Sequence, residues 1–320
     1  MMPPVRPATT RPVAIAGLDH DGLHHLERFS LSRNFDPVAI VEPDARRASI
    51  AADFGCRVHA GWDEFLADDS FALVLVSGPP SSRLQQVFRV LESGRDVAVR
   101  GPLAHTLTDA DRVIDAAGRH DRRLLVLEPR RGDDDFLAAR TAVAGGGLGE
   151  LTALKQIAWD YGQPGRSNPH ERLVQLLAPS LDQLLLLADR PPHDVVARQL
   201  ADAGLVLLVG FAGGATGHIE VHTGSPAPLR TGWVLAGTRG GYHDRQQFHV
   251  TDDHEVYSTR LPAPADDWDR AYRELFEGLE DADTARTAQA EARRVVAVLD
   301  AARRSIGGEG VVEVDNEVLD

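Results

Sequence analysis

Short apolar runs alternate with amphipathic stretches through the first third of this chain. Val13-Ala-Ile-Ala-Gly17 is an apolar run ended by glycine, and the spacing from about Gly22 to Leu31 predicts a helix after it. Val38–Val41 predicts a second strand, Asp44–Phe54 a helix, Phe71–Val76 a third strand, and Leu84–Glu92 a helix closed by Gly94. Val97–Val99, a helix from about Thr108 to His120, and Leu124–Leu127 complete the series. Continuous apolar strands separated by helices predict a parallel sheet covered on both faces.

Past Glu128 the period changes. Leu151 to Tyr161 alternates as a long half-buried strand, and Leu173 to Leu187 reads as an apolar helix. Val195–Ala201, Leu205–Phe211, Thr216–Thr223, Trp233–Gly237 and Gln247–Val250 read as strands joined by Gly and Pro turns, which predicts a mainly antiparallel sheet. One helical stretch, Trp268 to Ser305, precedes a last short strand, Val311 to Val314. The expected fold class is α/β with two domains, residues 1–127 on the parallel sheet and residues 128–320 forming an α+β domain with a largely antiparallel, open-faced sheet.

Composition removes several function classes. The 320 residues carry a net charge of −14, spread along the chain, whereas a nucleic-acid surface needs a concentrated basic patch. Neither nucleic acid nor an anionic membrane is expected as a partner. The single cysteine, Cys56, cannot form an internal disulfide, so nothing asks for an oxidising compartment. Prolines in the opening Met1–Pro12 interrupt any signal-peptide core, and the apolar stretch from Leu173 to Ala188 contains Pro179 and Asp182 and is too short to span a bilayer. The expected location is cytoplasmic.

Several local motifs punctuate this order. Gly17-Leu-Asp-His-Asp-Gly22, followed by His25, lies at the first strand-to-helix turn, and Val41-Glu-Pro-Asp44 puts an acid after the second strand. Gly78-Pro-Pro-Ser-Ser82, Leu91-Glu-Ser-Gly94, Gly147-Leu-Gly-Glu150, Gly237-Thr-Arg-Gly240 and Ser305 follow. In this sequence they resemble the glucose-fructose oxidoreductase and inositol dehydrogenase family (Gfo/Idh/MocA) along nearly the whole chain. The resemblance implies a Rossmann-like first domain with a dinucleotide site at Gly17, Asp19, Gly22, Glu42, Gly78 and Pro79, and a second domain for substrate and oligomerisation.

The glycines of such a turn let helix-start amides approach a pyrophosphate. Asp19 replaces the family's middle glycine, adding a side chain and a negative charge where two phosphates would sit. Glu42 suits adenosine ribose hydroxyls and disfavours a 2′-phosphate, so a bound dinucleotide would be NAD before NADP. The other reading of Gly17 and Gly22 is that they serve the turn and the helix packing alone.

Three further positions depart from the family. Arg100-Gly101-Pro102 stands where it writes Glu-Lys-Pro, and the only lysine in the chain is Lys155. Arg100 can orient an anion but is a poor general base, and strand alternation turns it away from the neighbouring position's face. The family's Asp-x-Gly-x-His-x-x-Asp pattern, aligned on Asp182, gives Gln175, Leu177 and Pro179, so its proton-accepting histidine is a proline. Arg83 stands where a histidine is common.

Other groups invite chemistry. His218-Ile-Glu-Val-His222 puts two histidines and Glu220 on one strand face; three alternate positions on a flat strand converge poorly on one ion, so no metal is expected. In Arg130-Arg-Gly-Asp-Asp-Asp135, Arg131 is a candidate contact for an anionic group, while Asp133 to Asp135 suit a helix start. Gly210 to Gly217 reads as a hairpin turn and not a phosphate loop. Trp159, Asp160 and Tyr161, with Arg166, His170 and Glu171, are either pocket-lining or ordinary core and loop residues.

Three functions follow. The first is an oxidoreductase-family enzyme acting on a small polar metabolite with hydride chemistry lost or altered, its step an elimination, isomerisation or cyclisation, with Arg83, Arg100, Arg131 and Asp182 as contacts and His170 as proton carrier. The second is an NAD-dependent dehydrogenase with a rearranged site. The third is a non-catalytic ligand-binding or partner subunit. The open sheet face is expected to support a homo-oligomer or pairing with an intact relative.

Overall fold

The computed structural model describes residues 10–77, 80–160, 169–200, 204–223, 232–251, 253–262 and 264–316. In chain order these form β1 (Arg11–Ala16), α1 (His20–Leu31), β2 (Phe35–Val41), α2 (Ala45–Asp53), β3 (Arg57–His59), α3 (Trp62–Leu66), β4 (Leu73–Val76), α4 (Pro80–Glu92), β5 (Asp96–Arg100), α5 (Leu107–Arg119) and β6 (Leu124–Leu127). A 3-10 turn at Pro129–Gly132 leads to α6 (Asp134–Ala144), β7 (Leu151–Asp160) and α7 (Pro169–Ala188). Then come β8 (Pro192–Leu200), β9 (Gly204–Phe211), β10 (Thr216–Thr223), β11 (Trp233–Gly237), β12 (Gly240–His243), β13 (Gln246–Val250) and β14 (Val256–Arg260). Helices α8 (Asp269–Glu280) and α9 (Ala282–Arg304) precede β15 (Val312–Glu313).

The chain divides into two compact units, one ending at Glu128 but also taking Asp269–Ala290, the other comprising Pro129–Trp268 and the residues from Glu291 on. In the first, six described strands run parallel in the order β3-β2-β1-β4-β5-β6. The order reverses between β1 and β4, the switch point at whose strand ends ligands bind in open α/β sheets. Val13, Ile15, Leu73, Leu75, Ala98, Leu125 and Leu127 make one apolar face, and Leu26 and Phe29 of α1 pack on it together with Tyr272, Leu275 and Leu279 of α8.

That return of α8 is the main departure from the contiguous 128–320 domain expected above. Parallel strands are apolar on both sides, and α8 buries its Ala271, Tyr272, Leu275 and Leu279 edge against the face that α1 also covers. Gly278 permits the close approach, since a Cβ there would fall 2.7 Å from Leu125 Cδ2. The single helix expected from Trp268 to Ser305 is broken at Asp281, whose carboxylate accepts from Thr284 N at 2.8 Å and starts α9. The short β3 and α3, and the outer strands β12 and β14, carried too little apolar periodicity to be read from sequence.

The second unit holds a sheet of nine described strands in the order β14-β13-β12-β11-β7-β10-β9-β8-β15. All neighbours are antiparallel except β7 and β10. Helix α7 packs on β7, β9 and β10, and α6 on β11. Leu154, Gln156 and Ala158 of β7 are buried on the helix side, while Lys155 faces the other way.

His25 tests the first unit's core. Its Nδ1 lies 2.8 Å from Tyr272 Oη, and burial, reinforced by Arg100, lowers its pKa from 6.5 to about 3. The unfolded chain therefore takes up a proton at His25 below about pH 6.5 that the folded protein refuses until about pH 3. Stability is lost as pH falls through that window. His25→Phe is expected to flatten the decline of the urea midpoint between pH 7 and pH 4 relative to wild type; an unchanged slope would show that His25 is not buried neutral.

Candidate functional site

The end of β1 turns at Gly17, whose φ of 92° lies in the left-handed region glycine tolerates. Helix α1 starts at His20 with Asp19 as its N-cap, and Asp19 Oδ1 accepts from Gly22 N at 2.9 Å. The same oxygen accepts from Ser77 Oγ at 3.2 Å, so one carboxylate joins the loops after β1 and β4 at the switch point. Gly22 is required by space, because a Cβ there would stand 2.2 Å from Gly17 O. Asp19 thus places an anion of the protein's own at the helix start that otherwise attracts a phosphate.

Glu42 does not present its carboxylate as the sequence led us to expect. It is 3% exposed; Oε2 accepts from Leu18 N at 2.9 Å, and Oε1 accepts from Asp44 N and Arg47 Nη2, both at 2.9 Å. Both oxygens are engaged by the protein's own donors, so a ribose hydroxyl would have to share Oε2 with the Leu18 amide. Gly78 and Pro79 lie outside the described residues. The arrangement at Asp19 and Glu42 does not fit a dinucleotide held in the family's manner.

At the end of β5, Arg100 Nη1 is 2.8 Å from Asp21 Oδ2. Arg83, buried on α4, donates from Nη1 to the Arg100 carbonyl at 3.1 Å. Burial, with Arg100 close by, pulls Arg83 down to about 10, while Asp19 and Asp21 oppose the shift, and it remains a cation at neutral pH. Two arginines and two aspartates therefore balance one another, and Arg100 is in an ion pair instead of being poised for an external anion.

Gly101 is overlain by a residue that the sequence did not bring forward. A Cβ at Gly101 would stand 2.9 Å from Glu128 Oε2, so this carboxylate, on a residue 9% exposed, closes over the Gly101 position. The available signal was an acid one residue past an apolar parallel strand, at the end where α/β sites form.

In the second unit, the 3-10 turn sets Arg131 against α7. Its Nε and Nη2 donate to Asp182 Oδ2 and Oδ1 at 2.8 and 2.7 Å, and Nη2 also lies 3.0 Å from Glu291 Oε2. This bidentate pair is strong and mostly dry, with the two side chains 18% and 8% exposed. Arg131 and Asp182, both candidate site residues, come together as mutual partners. Pro179 lies inside α7 and brings no N–H and no titratable group.

Asp133 occupies the N-cap position of α6 without making a cap hydrogen bond, because its Oδ2 accepts from Arg130 Nε at 3.0 Å instead. The hairpin reading of Gly210 to Gly217 holds, with Gly213 and Gly214 both at φ 85° between β9 and β10. Trp159 stacks on His222, its register partner, with ring centroids 4.2 Å apart, so it belongs to the sheet's outer face and not to the core. Glu220 Oε1 accepts from Nε2 of the same His222 ring at 2.5 Å, and among the described residues no group of three His, Cys, Asp or Glu converges for a metal. Tyr161, Arg166 and the side chains of Asp160, His170 and Glu171 lie outside the described residues.

Residues 11–128 match the Gfo/Idh/MocA oxidoreductase family, described as having an NAD-binding Rossmann fold. Over 193 residues it is 32% identical to an inositol 2-dehydrogenase of Leifsonia xyli subsp. xyli, a stretch covering 58% of this chain and 57% of that protein. An NAD-binding protein from Listeria innocua superposes with a TM-score of 0.83 at 22% identity, over 96% of this chain and 97% of the other. GenD2 from gentamicin A biosynthesis, solved in complex with NAD, superposes with a TM-score of 0.80 at 22% identity, over 98% and 100% of the two chains. These structural likenesses are of fold. The matched stretches span 27%, 42% and 57% of three curated relatives. No described helix is long and apolar enough to cross a membrane.

The Arg131–Asp182 pair gives a direct test. Arg131→Ala leaves two carboxylates, Asp182 and Glu291, without their cation and is expected to cost about 3–5 kcal/mol in urea unfolding. Asp182→Asn, which keeps acceptor capacity and leaves Arg131 with Glu291, should cost less. The reverse ranking would sink the ion-pair assignment.

Proposed function

We propose that this chain is a Gfo/Idh/MocA-family enzyme that acts on a small polar metabolite without hydride transfer. One observation carries the reading: the Asp19 carboxylate holds the α1 amide and the Ser77 hydroxyl at the switch point, where a dinucleotide would bring its pyrophosphate. Gly101 in place of the family lysine, Pro179 in place of its histidine, and the closed Arg131–Asp182 pair support it. Glu128, buried over Gly101, is the group proposed to move a proton. The step that suits it is redox-neutral proton transfer, such as an elimination or isomerisation. The protein is taken to work in the cytoplasm, with His170 still a candidate proton carrier.

A second reading, an NAD-dependent dehydrogenase with a rearranged site, draws on the NAD complexes among proteins of like fold. Calorimetric titration with NAD, NADH, NADP and NADPH separates the two. Wild type is expected to bind none of the four, and Asp19→Gly, which keeps a tolerable N-cap, to gain NADH binding. Tight NADH binding by wild type would reject the redox-neutral reading.

We also propose self-association through the open face of the second sheet. One row across it reads Leu208, His218, Lys155, Val234, with Leu208 46% and Val234 42% exposed. Sedimentation velocity is expected to show a concentration-dependent oligomer that Leu208→Glu dissociates. A monomer at every concentration would reject this interface.

A further inference from the structure

The second unit contains a cavity of about 200 Å³ at the start of α6. Asp133, Asp134, Asp135 and Asp266 line it against a single arginine, Arg130, which is already paired with Asp133. Carboxylates alone would not define a site. The decisive feature is Gln156 of β7, which lines the same cavity, is 3% exposed, and has an amide oxygen with no hydrogen-bond partner among the described residues.

The orientation of that amide is fixed by its neighbours. Trp233 Nε1, which can only donate, gives its hydrogen to Gln183 Oε1 at 3.0 Å. Gln183 Nε2 therefore faces the other way and donates to the Arg130 carbonyl at 2.5 Å. Gln156 Nε2 donates to the same Gln183 Oε1 at 3.3 Å. Turning the Gln156 amide over would set oxygen against oxygen, so the unpartnered atom is an acceptor, and a buried acceptor of this kind calls for a donor.

The rest of the wall asks for the same chemistry. Asp135 Oδ2 accepts from Trp233 N at 2.7 Å, while Oδ1 has only a long approach to Tyr242 Oη at 3.4 Å. Burial raises the carboxyls of Asp133 and Asp135, the latter to about 6, so both gain from a positive neighbour. The volume has room for roughly six water-sized atoms. Phe136 closes part of the wall, with the Arg140 guanidinium 5.7 Å from its ring centroid.

We propose that this cavity binds the protonated primary amino group of a small organic molecule, with Gln156 Oε1 and the Asp133 and Asp135 carboxylates accepting its N–H bonds. The inference does not depend on the fate of the dinucleotide site. A bare metal ion fits poorly, because among the described residues no three ligating groups converge. Water would satisfy Gln156 but leave the excess of carboxylates unneutralised.

The test uses the full-length protein at low ionic strength, titrated calorimetrically with ethanolamine, and with ethylene glycol and MgCl₂ as controls of similar size and of charge alone. Ethanolamine is expected to bind one site per chain with a dissociation constant in the millimolar range, and ethylene glycol not to bind. Gln156→Met should weaken ethanolamine about fivefold, and Asp135→Asn, which keeps an acceptor for Trp233 N, about tenfold. Both variants are to be checked for native circular dichroism, and Asp135→Asn carries the test if Gln156→Met does not fold. No saturable binding by folded wild type, equal heat from MgCl₂, or binding untouched in the folded variants would each overturn the proposal.

Discussion

A parallel sheet offers water neither of its faces, and that constraint organises the first unit. Its strands are apolar on both sides, so each side needs a covering layer. Crossover helices supply part of that layer, and α8 supplies more from nearly 150 residues further along the chain, placing Tyr272 beside His25 and Phe29. The unit is consequently discontinuous in sequence, and its core is built from two separate stretches of the chain.

The same unit shows how a site can be rewritten without disturbing the fold that carries it. Gly17 and Gly22 keep the turn, because backbone conformation and a 2.2 Å approach leave no choice at those positions. Asp19 then provides the cap hydrogen bond and the interloop contact that hold the turn in place. Asp19 and Asp21 together balance Arg83 and Arg100, while Glu128 lies over Gly101. The internal anion, the arginine pair and the buried acid form a consistent set of charges, each explained by its neighbours.

In the second unit, polar groups are arranged by fixed donors more than by charge. Trp233 can donate in one direction only, and that choice passes through Gln183 to Gln156 and to the Arg130 carbonyl. Arg131, one residue along, is turned instead toward Asp182 and Glu291. Two adjacent arginines thus serve separate networks, a division that residue type alone would not reveal.

Much of the fold was legible in the sequence. The β1, β2, β4, β5 and β6 runs, the turn at Gly17 to Gly22, the long alternation of β7 and the Gly213–Gly214 hairpin are all written in contiguous residues, since period and turn chemistry act over a few positions. What Arg131 contacts, why Glu42 is turned inward, how Glu128 comes to lie over Gly101 and where α8 goes depended on tertiary structure. Each is a competition among donors, acceptors or apolar surfaces distant in sequence, and only the folded chain decides which partners come within reach.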